Sequence, residues 1–343
     1  MPAEPRCPIY GECGGCQYQD LTYAEELQLK EQKVTDLLEP LNIPAQNLEP
    51  ITASPMEYAY RNRLDLSLLK TKDGEVHIGF RAEGKFRLIP VEACDIARDS
   101  ITQFMPQLRA EAIQKLPADY RIASLVVKTD DNGRIKWGGI GRKSLQLKEE
   151  DYLWTDINGM RIHFSLDTFF QVNSSILPAV FKKMRDWVDF TDESVFLDLY
   201  GGVGLFSLIL AKDVKKAIIV EDNIHATRVA SYNIKFHGLD NVEVHSTPVE
   251  KVLPELLNEY NAKKTIGMID PPRKGLSTQA LEFMVEAKQL DALFYLSCNP
   301  ESLQRDLVGF IQAGWSVKKV GAFDFFPKTR HVETLVLLEY GSV

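Results

Sequence analysis

From residue 174 onward, short apolar runs alternate with amphipathic stretches, and several runs end on a charged or reactive side chain. Val195-Phe-Leu-Asp-Leu-Tyr200 reads as a buried strand, followed by a glycine-rich turn and the start of a helix. Residues 217–220, 241–245, 266–269 and 292–296 read as further strands, with two more near Val317 and Leu335. Apolar runs of that length separated by helical patterns specify βαβ units, and so a doubly wound, mostly parallel sheet. Ligands of such sheets bind outside the carboxyl ends of the strands. Asp198, Glu221, Asp270 and Cys298 stand at or beside those ends.

The first half has a different rhythm. Residues 7–19 are rich in Cys and Gly and irregular, and Thr22 with Glu25 three positions on forms a capping box for a helix reaching Leu38. Pro40, Pro44, Pro50 and Pro55 mark a linker that no helix crosses. From about Tyr58 to Phe164 the apolar period is mostly two, with hairpin turns at Asp73-Gly74, Asp131-Asn-Gly133 and Asn158-Gly159. One helix, about residues 101–116, interrupts this sheet-rich α+β region. The expected organisation is a cysteine segment with its helix at 1–45, a middle unit at 46–165 and a catalytic unit at 166–343.

The formal charge of −8 does not advertise nucleic-acid binding, although net charge says nothing about a local patch. Arg61, Arg63, Lys70, Lys72, Arg81, Lys85 and Arg87 gather positive charge in the middle unit, as a solvated sheet face or as a nucleic-acid footprint. Five cysteines, an odd number with no apolar leader at Met1-Pro-Ala-Glu-Pro-Arg6, point to a reducing compartment and a cytoplasmic location. No membrane span and no obligate protein partner are expected.

Asp198-Leu-Tyr-Gly-Gly-Val-Gly204 carries an Asp-x-x-x-Gly-x-Gly pattern that suits S-adenosylmethionine better than a dinucleotide. Glu221 at the end of the next strand is the expected ribose partner. A tight structural turn is the plainer explanation of such glycines. A lone cysteine is usually a small core residue. Cys298 differs because Asn299-Pro300 turns the chain there, Asp270-Pro-Pro-Arg273 ends the preceding strand and His331-Val-Glu333 follows downstream. A thiol beside a separate base is the equipment of covalent catalysis.

These motifs resemble the RNA uracil-5 methyltransferases, which make 5-methyluridine. The likeness runs through Phe169-Phe-Gln-Val-Asn173, Asp198-Leu-Tyr-Gly-Gly-Val-Gly, Asp270-Pro-Pro-Arg-Lys-Gly, Tyr295-Leu-Ser-Cys-Asn-Pro and Phe326-Pro-Lys-Thr-Arg-His-Val-Glu333. Arg61-Asn-Arg63, Gly79-Phe-Arg81 and the N-terminal cysteines extend it to nearly the whole chain. The resemblance implies a Rossmann-like methyltransferase domain in which Cys298 attacks C6 of uracil and Glu333 removes the C5 proton. It implies that Gln171, Asp198, Tyr200, Gly202, Gly204, Glu221 and Asp270 surround S-adenosylmethionine, with Gln171 on the cofactor or the base. Arg61, Arg63, Arg81 and Arg273 are the candidate RNA contacts, and Phe323 and Phe325 are either walls for an extruded base or core. Two positions depart from the pattern: Pro248 stands where an acidic residue usually lies near the adenine, and Ser302 stands where threonine is usual.

Cys7-x5-Cys13-x2-Cys16 with Cys94 gives four thiols that suit zinc or iron–sulfur on chemistry alone. The resemblance implies a [4Fe-4S] cluster, as in the subset of these enzymes with this spacing. It favours ribosomal over transfer RNA as partner. The resemblance starts just before the cysteines, so no small N-terminal barrel of the kind that many such enzymes use to grip RNA is expected. DNA cytosine methyltransferases place their thiol directly after a Pro-Pro pair, where Arg273 stands here. A cluster-bearing RNA-binding protein without catalysis is the remaining alternative, and the intact Cys298 and Glu333 oppose it.

Overall fold

The structure, a computed structural model, describes residues 3–82, 87–115, 121–139, 147–260 and 263–341. Lys85 of the basic group and Leu116 at the end of the expected helix lie outside the described residues.

Helix α1 (Tyr23–Leu38) opens with the expected capping box: Thr22 accepts from the Glu25 amide and the Glu25 carboxylate takes the Thr22 N–H at 2.9 Å. Strand β1 (Leu48–Thr52) then forms inside the proline-marked stretch. Strands β2 (Arg63–Lys70), β3 (Val76–Arg81) and β4 (Leu88–Pro90), helix α2 (Asp99–Lys115), and strands β5 (Ile122–Thr129) and β6 (Ile135–Gly139) follow. The five strands β4-β3-β2-β5-β6 make one antiparallel sheet. Ile101, Met105, Leu108 and Ala112 recur at helical spacing along α2 and pack on Leu64, Leu66 and Leu68 from alternate positions of β2.

Strands β7 (Leu153–Ile157) and β8 (Met160–Phe164) pair as a separate hairpin. Its Asn158 and Gly159 take φ of 55° and 80°, both left-handed, which a two-residue type I′ turn requires. The hairpin does not extend the middle sheet, because Leu153, Ile157, Ile162 and Phe164 are buried in the core of the C-terminal region.

That region comprises α3 (Leu177–Trp187), β9 (Val195–Leu199), α4 (Leu205–Leu210), β10 (Lys216–Glu221), α5 (Ile224–His237), β11 (Val242–Ser246), α6 (Val249–Glu259) and β12 (Thr265–Ile269). It ends with α7 (Thr278–Val285), β13 (Ala292–Ser297), α8 (Pro300–Gln312), β14 (Trp315–Phe323) and β15 (Glu333–Tyr340). The eight-stranded sheet has the order β1-β14-β15-β13-β12-β9-β10-β11, and only β15 runs against its neighbours. Chain order reverses between β9 and β12, so the carboxyl ends of those strands flank the switch-point crevice. Residues 48–52, expected in the linker and middle unit, instead form the outer strand β1 beside β14. An edge position leaves Pro50 a place without a required ladder N–H.

Helix α1 also grips the loop that leads into β15. Fully buried Lys30 donates to Glu26 and Asp324, each at 2.7 Å, and to the Phe326 carbonyl at 3.1 Å. The Gln17 and Tyr18 amides donate to the Lys328 carbonyl, which ties the cysteine segment to the same loop. Among the described residues no helix is long and apolar enough to cross a membrane.

Candidate active site

Antiparallel pairing of β13 with β15 sets Ser297 opposite Thr334. Continued by one residue, that register sets Cys298, just past the carboxyl end of β13, opposite Glu333, the first residue of β15, and the two act on each other's charge. Parallel pairing sets Ile269 beside Leu199 and Val220 beside Leu199, so Asp270, Tyr200 and Glu221 emerge together at one sheet edge. The residues read from scattered motifs therefore meet because four strands end, and β15 begins, on one side.

The glycine turn is shaped by its neighbours. Asp198 is buried and its Oδ2 accepts from the Ser207 amide at 3.0 Å, which folds the turn back onto α4. Gly204 has φ of 87°, and a Cβ there would lie 2.6 Å from Ile219 Cδ1, so a side chain is excluded twice. Glu221 accepts from the Gly202 amide at 3.0 Å and the Asn223 amide at 2.8 Å. Tyr200 carries a positive φ of 63° without being glycine, and its hydroxyl reaches Glu250 at 3.4 Å. Strain of this kind persists where the surroundings hold it.

Gln171 donates to Asp270 Oδ2 at 3.0 Å. Both line a narrow recess with Phe169, Phe170, Gly201 and Gly202. Tyr200 also lines a neighbouring cleft of about 690 Å³, walled by Glu250, Pro271, Pro272 and Lys274. A cleft of this size falls in the range of small-ligand sites. Pro248 caps the start of α6 and Glu250 lies in its first turn, so the acidic side chain facing this cleft comes two residues after the position where one was expected. The Ser302 hydroxyl donates to the Arg273 carbonyl at 3.2 Å, and Asn299 Nδ2 donates to the same oxygen at 3.1 Å. These bonds join the Asp-Pro-Pro-Arg and Cys-Asn-Pro motifs.

The electrostatics are those of a crowded acidic pocket. Burial raises Asp198 to about 7, against the Ser207 hydrogen bonds. Burial and the Asp198 charge raise Asp270 to about 7. Burial and Asp270 hold Glu333 well above the carboxylate range, and its Oε2 has no hydrogen-bond partner among the described residues. The Cys298 thiol is pushed up to about 12 by burial, Glu333 and Asp270, with Arg273 pulling the other way. These groups destabilise one another's negative charge, and a cation entering the pocket would relieve all of them.

The model of the tRNA (uracil-5-)-methyltransferase family matches residues 140–340. The chain belongs to this family. An RNA methyltransferase of Caldanaerobacter subterraneus is 30% identical over 98% of this chain and 85% of its own length. The 23S rRNA (uracil(1939)-C(5))-methyltransferase RlmD of Haemophilus parainfluenzae is 28% identical over 97% of this chain and 82% of its own. Among solved structures, the Pyrococcus abyssi tRNA (uracil-54, C5)-methyltransferase in complex with S-adenosyl-L-homocysteine aligns with a TM-score of 0.71. That match has 21% identity and covers 94% of this chain and 85% of the other, which establishes a shared fold.

The four candidate RNA cations of this methyltransferase stand in different surroundings. Arg273 is exposed beside the pocket. Partial burial lowers the pKa of half-buried His331 to about 4, and Arg273, Arg330, Lys33 and Arg61 add to the shift. Arg63 is ion-paired with Asp65 at 2.6 Å, and Arg81 stands exposed at the end of β3. The Arg61 Nε is buried without a partner among the described residues, and Arg61 lines a cavity of about 210 Å³ together with Cys7, Cys13, Cys16 and Cys94. The thiols expected to share a site therefore do border one space. Gly15 donates its amide to Cys13 Sγ at 3.4 Å. Among the described residues no group of three or more His, Cys, Asp or Glu is gathered closely enough to hold a metal ion.

Phe323 and Phe325 are fully buried in the main core. Of the two roles expected for them, base wall or core, they take the second. The convergence of Arg330 and Lys33 on His331 escaped sequence reading, since lone cations on a loop and on a helix carry no pattern.

Proposed function

We propose that this protein methylates C5 of a uridine in RNA, with Cys298 as nucleophile, Glu333 as base and S-adenosylmethionine as methyl donor. The observation that carries the proposal is the register of β13 against β15, which brings thiol and carboxylate together at the sheet edge where the glycine turn, Glu221 and Asp270 also end. We assign the substrate to large-subunit ribosomal RNA, supported by the two Haemophilus relatives named for 23S rRNA, each 28% identical over 97% of this chain. The five unpaired cysteines support action in the reducing cytoplasm.

The uridine leaves its stack at a cost of a few kcal/mol. Cys298 gives up its thiol proton to solvent and its sulfur bonds to C6, so the C5–C6 π electrons make C5 an enolate carbon. C5 takes the methyl group, and the sulfonium becomes a neutral thioether. Glu333 then removes the C5 proton, the double bond re-forms and the C6–S bond breaks. Gln171 and Asp270 line the donor side of the pocket, Asp198 folds the glycine turn and Glu221 is the ribose partner. The positive sulfonium lowers the cost of ionising Cys298 and Glu333, so this acidic pocket favours cofactor entry before sulfur attack.

Cys7, Cys13, Cys16 and Cys94 would hold a [4Fe-4S] cluster. Their shared cavity of about 210 Å³ supports a polynuclear group, because one zinc ion needs four sulfurs within about 2.3 Å of a single point. The Gly15 amide on Cys13 Sγ is a hydrogen bond of the kind that tunes cluster sulfurs. The group supplies a crosslink between the cysteine segment and the middle sheet, supporting folding and RNA docking, with no part in methyl transfer.

Incubating the protein with S-adenosylmethionine and unmodified 23S rRNA or tRNA transcripts, followed by nucleoside mass analysis, tests the reading. New 5-methyluridine in 23S rRNA is expected. Methylation of tRNA alone would transfer the substrate assignment, and methylation of neither by cofactor-bound protein would leave the non-catalytic alternative.

A further inference from the structure

Lys128 is a buried ammonium that the reaction above does not use. It stands on β5 of the middle sheet, 1% exposed. Its Nζ donates to the Ser165 carbonyl at 2.8 Å and to the Thr168 carbonyl. Both acceptors belong to the irregular segment 165–173, which crosses from the hairpin to α3 and carries Gln171. The ammonium also lies 5.8 Å from the centre of the Phe164 ring, and that ring stacks on Phe170 at 4.6 Å. Phe170 is the residue before Gln171.

A second buried polar side chain of the same unit holds the other end of the segment. Asn62 is 2% exposed and precedes β2. Its Nδ2 donates to the Gln171 carbonyl at 3.0 Å, its backbone amide donates to Val172, and its carbonyl accepts from Thr129, the neighbour of Lys128. Lys128 and Asn62 thus brace 165–172 from the middle unit, while Asp167 meets His225 of α5 at 3.0 Å on the far side.

A buried lysine is costly, and a methionine would fill the same space without that cost. What methionine lacks is N–H donors for two inward carbonyls. Burial depresses this lysine to about 7, with Arg63 adding to the depression and Asp167 and Asp65 opposing it. The amine keeps two N–H donors even when neutral, so both carbonyls stay satisfied on either side of that value.

We propose that Lys128 and Asn62 are positioning residues, through which the middle sheet sets the geometry of the Gln171 amide against Asp270. This rests on the reading that Gln171 acts at the donor side of the pocket. It makes cofactor affinity depend on two side chains outside the methyltransferase fold proper.

Hydrogen exchange and calorimetric titration with S-adenosylhomocysteine test the proposal on Lys128→Met, Asn62→Ala, Gln171→Ala and the double variants. Lys128→Met and Asn62→Ala should each speed exchange in 165–172 relative to the β9–β10 core and weaken binding about fivefold or more. Neither should weaken binding further in the Gln171→Ala background, because each acts through that side chain. Unchanged exchange in 165–172 would overturn the bracing itself. Multiplicative losses in the double variants would overturn action through Gln171. Faster exchange with wild-type affinity in Gln171→Ala would instead reject the role given to Gln171. Asn62→Ala leaves Lys128 in place and serves if Lys128→Met does not fold.

Discussion

Replacing Glu221 by alanine should weaken cofactor binding more than the loss of one ribose contact would suggest. This carboxylate accepts from the Gly202 amide at 3.0 Å and the Asn223 amide at 2.8 Å, so it shapes the glycine turn itself. Hydrogen bonds to a charged acceptor contribute about 1.5–3 kcal/mol each when buried, and less where water reaches the donor. Glu221 and Gly202 are only partly buried, which sets the net loss at about 1–3 kcal/mol. That range corresponds to about 5- to 150-fold in Kd. Glu221→Gln keeps one oxygen acceptor and should fall between wild type and alanine. Calorimetry with S-adenosylhomocysteine reads the effect, with the melting temperature as a control for the fold. Wild-type affinity in Glu221→Ala would refute both the ribose assignment and the role of the carboxylate in shaping the turn.

Glu333→Gln should transfer the methyl group and then stall, leaving a methylated protein–RNA adduct whose resolution is slowed about 100-fold or more, as read by mass spectrometry of the trapped complex. Resolution of the adduct in single turnovers should quicken as pH rises above the ordinary carboxylate range, because burial and Asp270 hold Glu333 well above it and the base must be ionised. Stability should move the other way. Asp198 and Asp270 are protonated in the folded state above the ordinary aspartate value, so cofactor-free protein should lose up to about 1.4 kcal/mol per pH unit per group between about pH 4 and 7, measured by denaturant titration. Anaerobically purified protein should hold about four iron atoms per chain, and Cys13→Ala should lower both iron and melting temperature; one bound zinc with no iron would reject the cluster.

The strand ends were legible because burial on both faces writes parallel strands as unbroken apolar runs, so Asp198, Glu221, Asp270 and Cys298 stood out as interruptions. The turn at Asn158-Gly159 and the cap at Thr22 were legible because each is a local rule satisfied within a few residues. Strand β1 was not, since Pro50 and the prolines around it read as a breaker and its place beside β14 depends on a partner some 270 residues later. Phe323 and Phe325 sit near the motif that carries Glu333, yet their buried surroundings are set by other strands and helices. Lys128 looks like an ordinary polar position in a sheet, Asn62 stood out only as the middle of Arg61-Asn-Arg63, and the carbonyls their side chains hold lie 37 to 109 residues away.

The central claim, a covalent Cys298–C6 adduct resolved by Glu333, is tested most directly by RNA containing 5-fluorouridine. The C5 fluorine cannot be removed as a proton, so wild-type protein with S-adenosylmethionine should form a stable complex. Peptide mapping should find one methylated fluorouridine attached through Cys298, and Cys298→Ala should form none while still binding cofactor. A stable adduct on another residue, or normal methylation of uridine by Cys298→Ala, would contradict the mechanism.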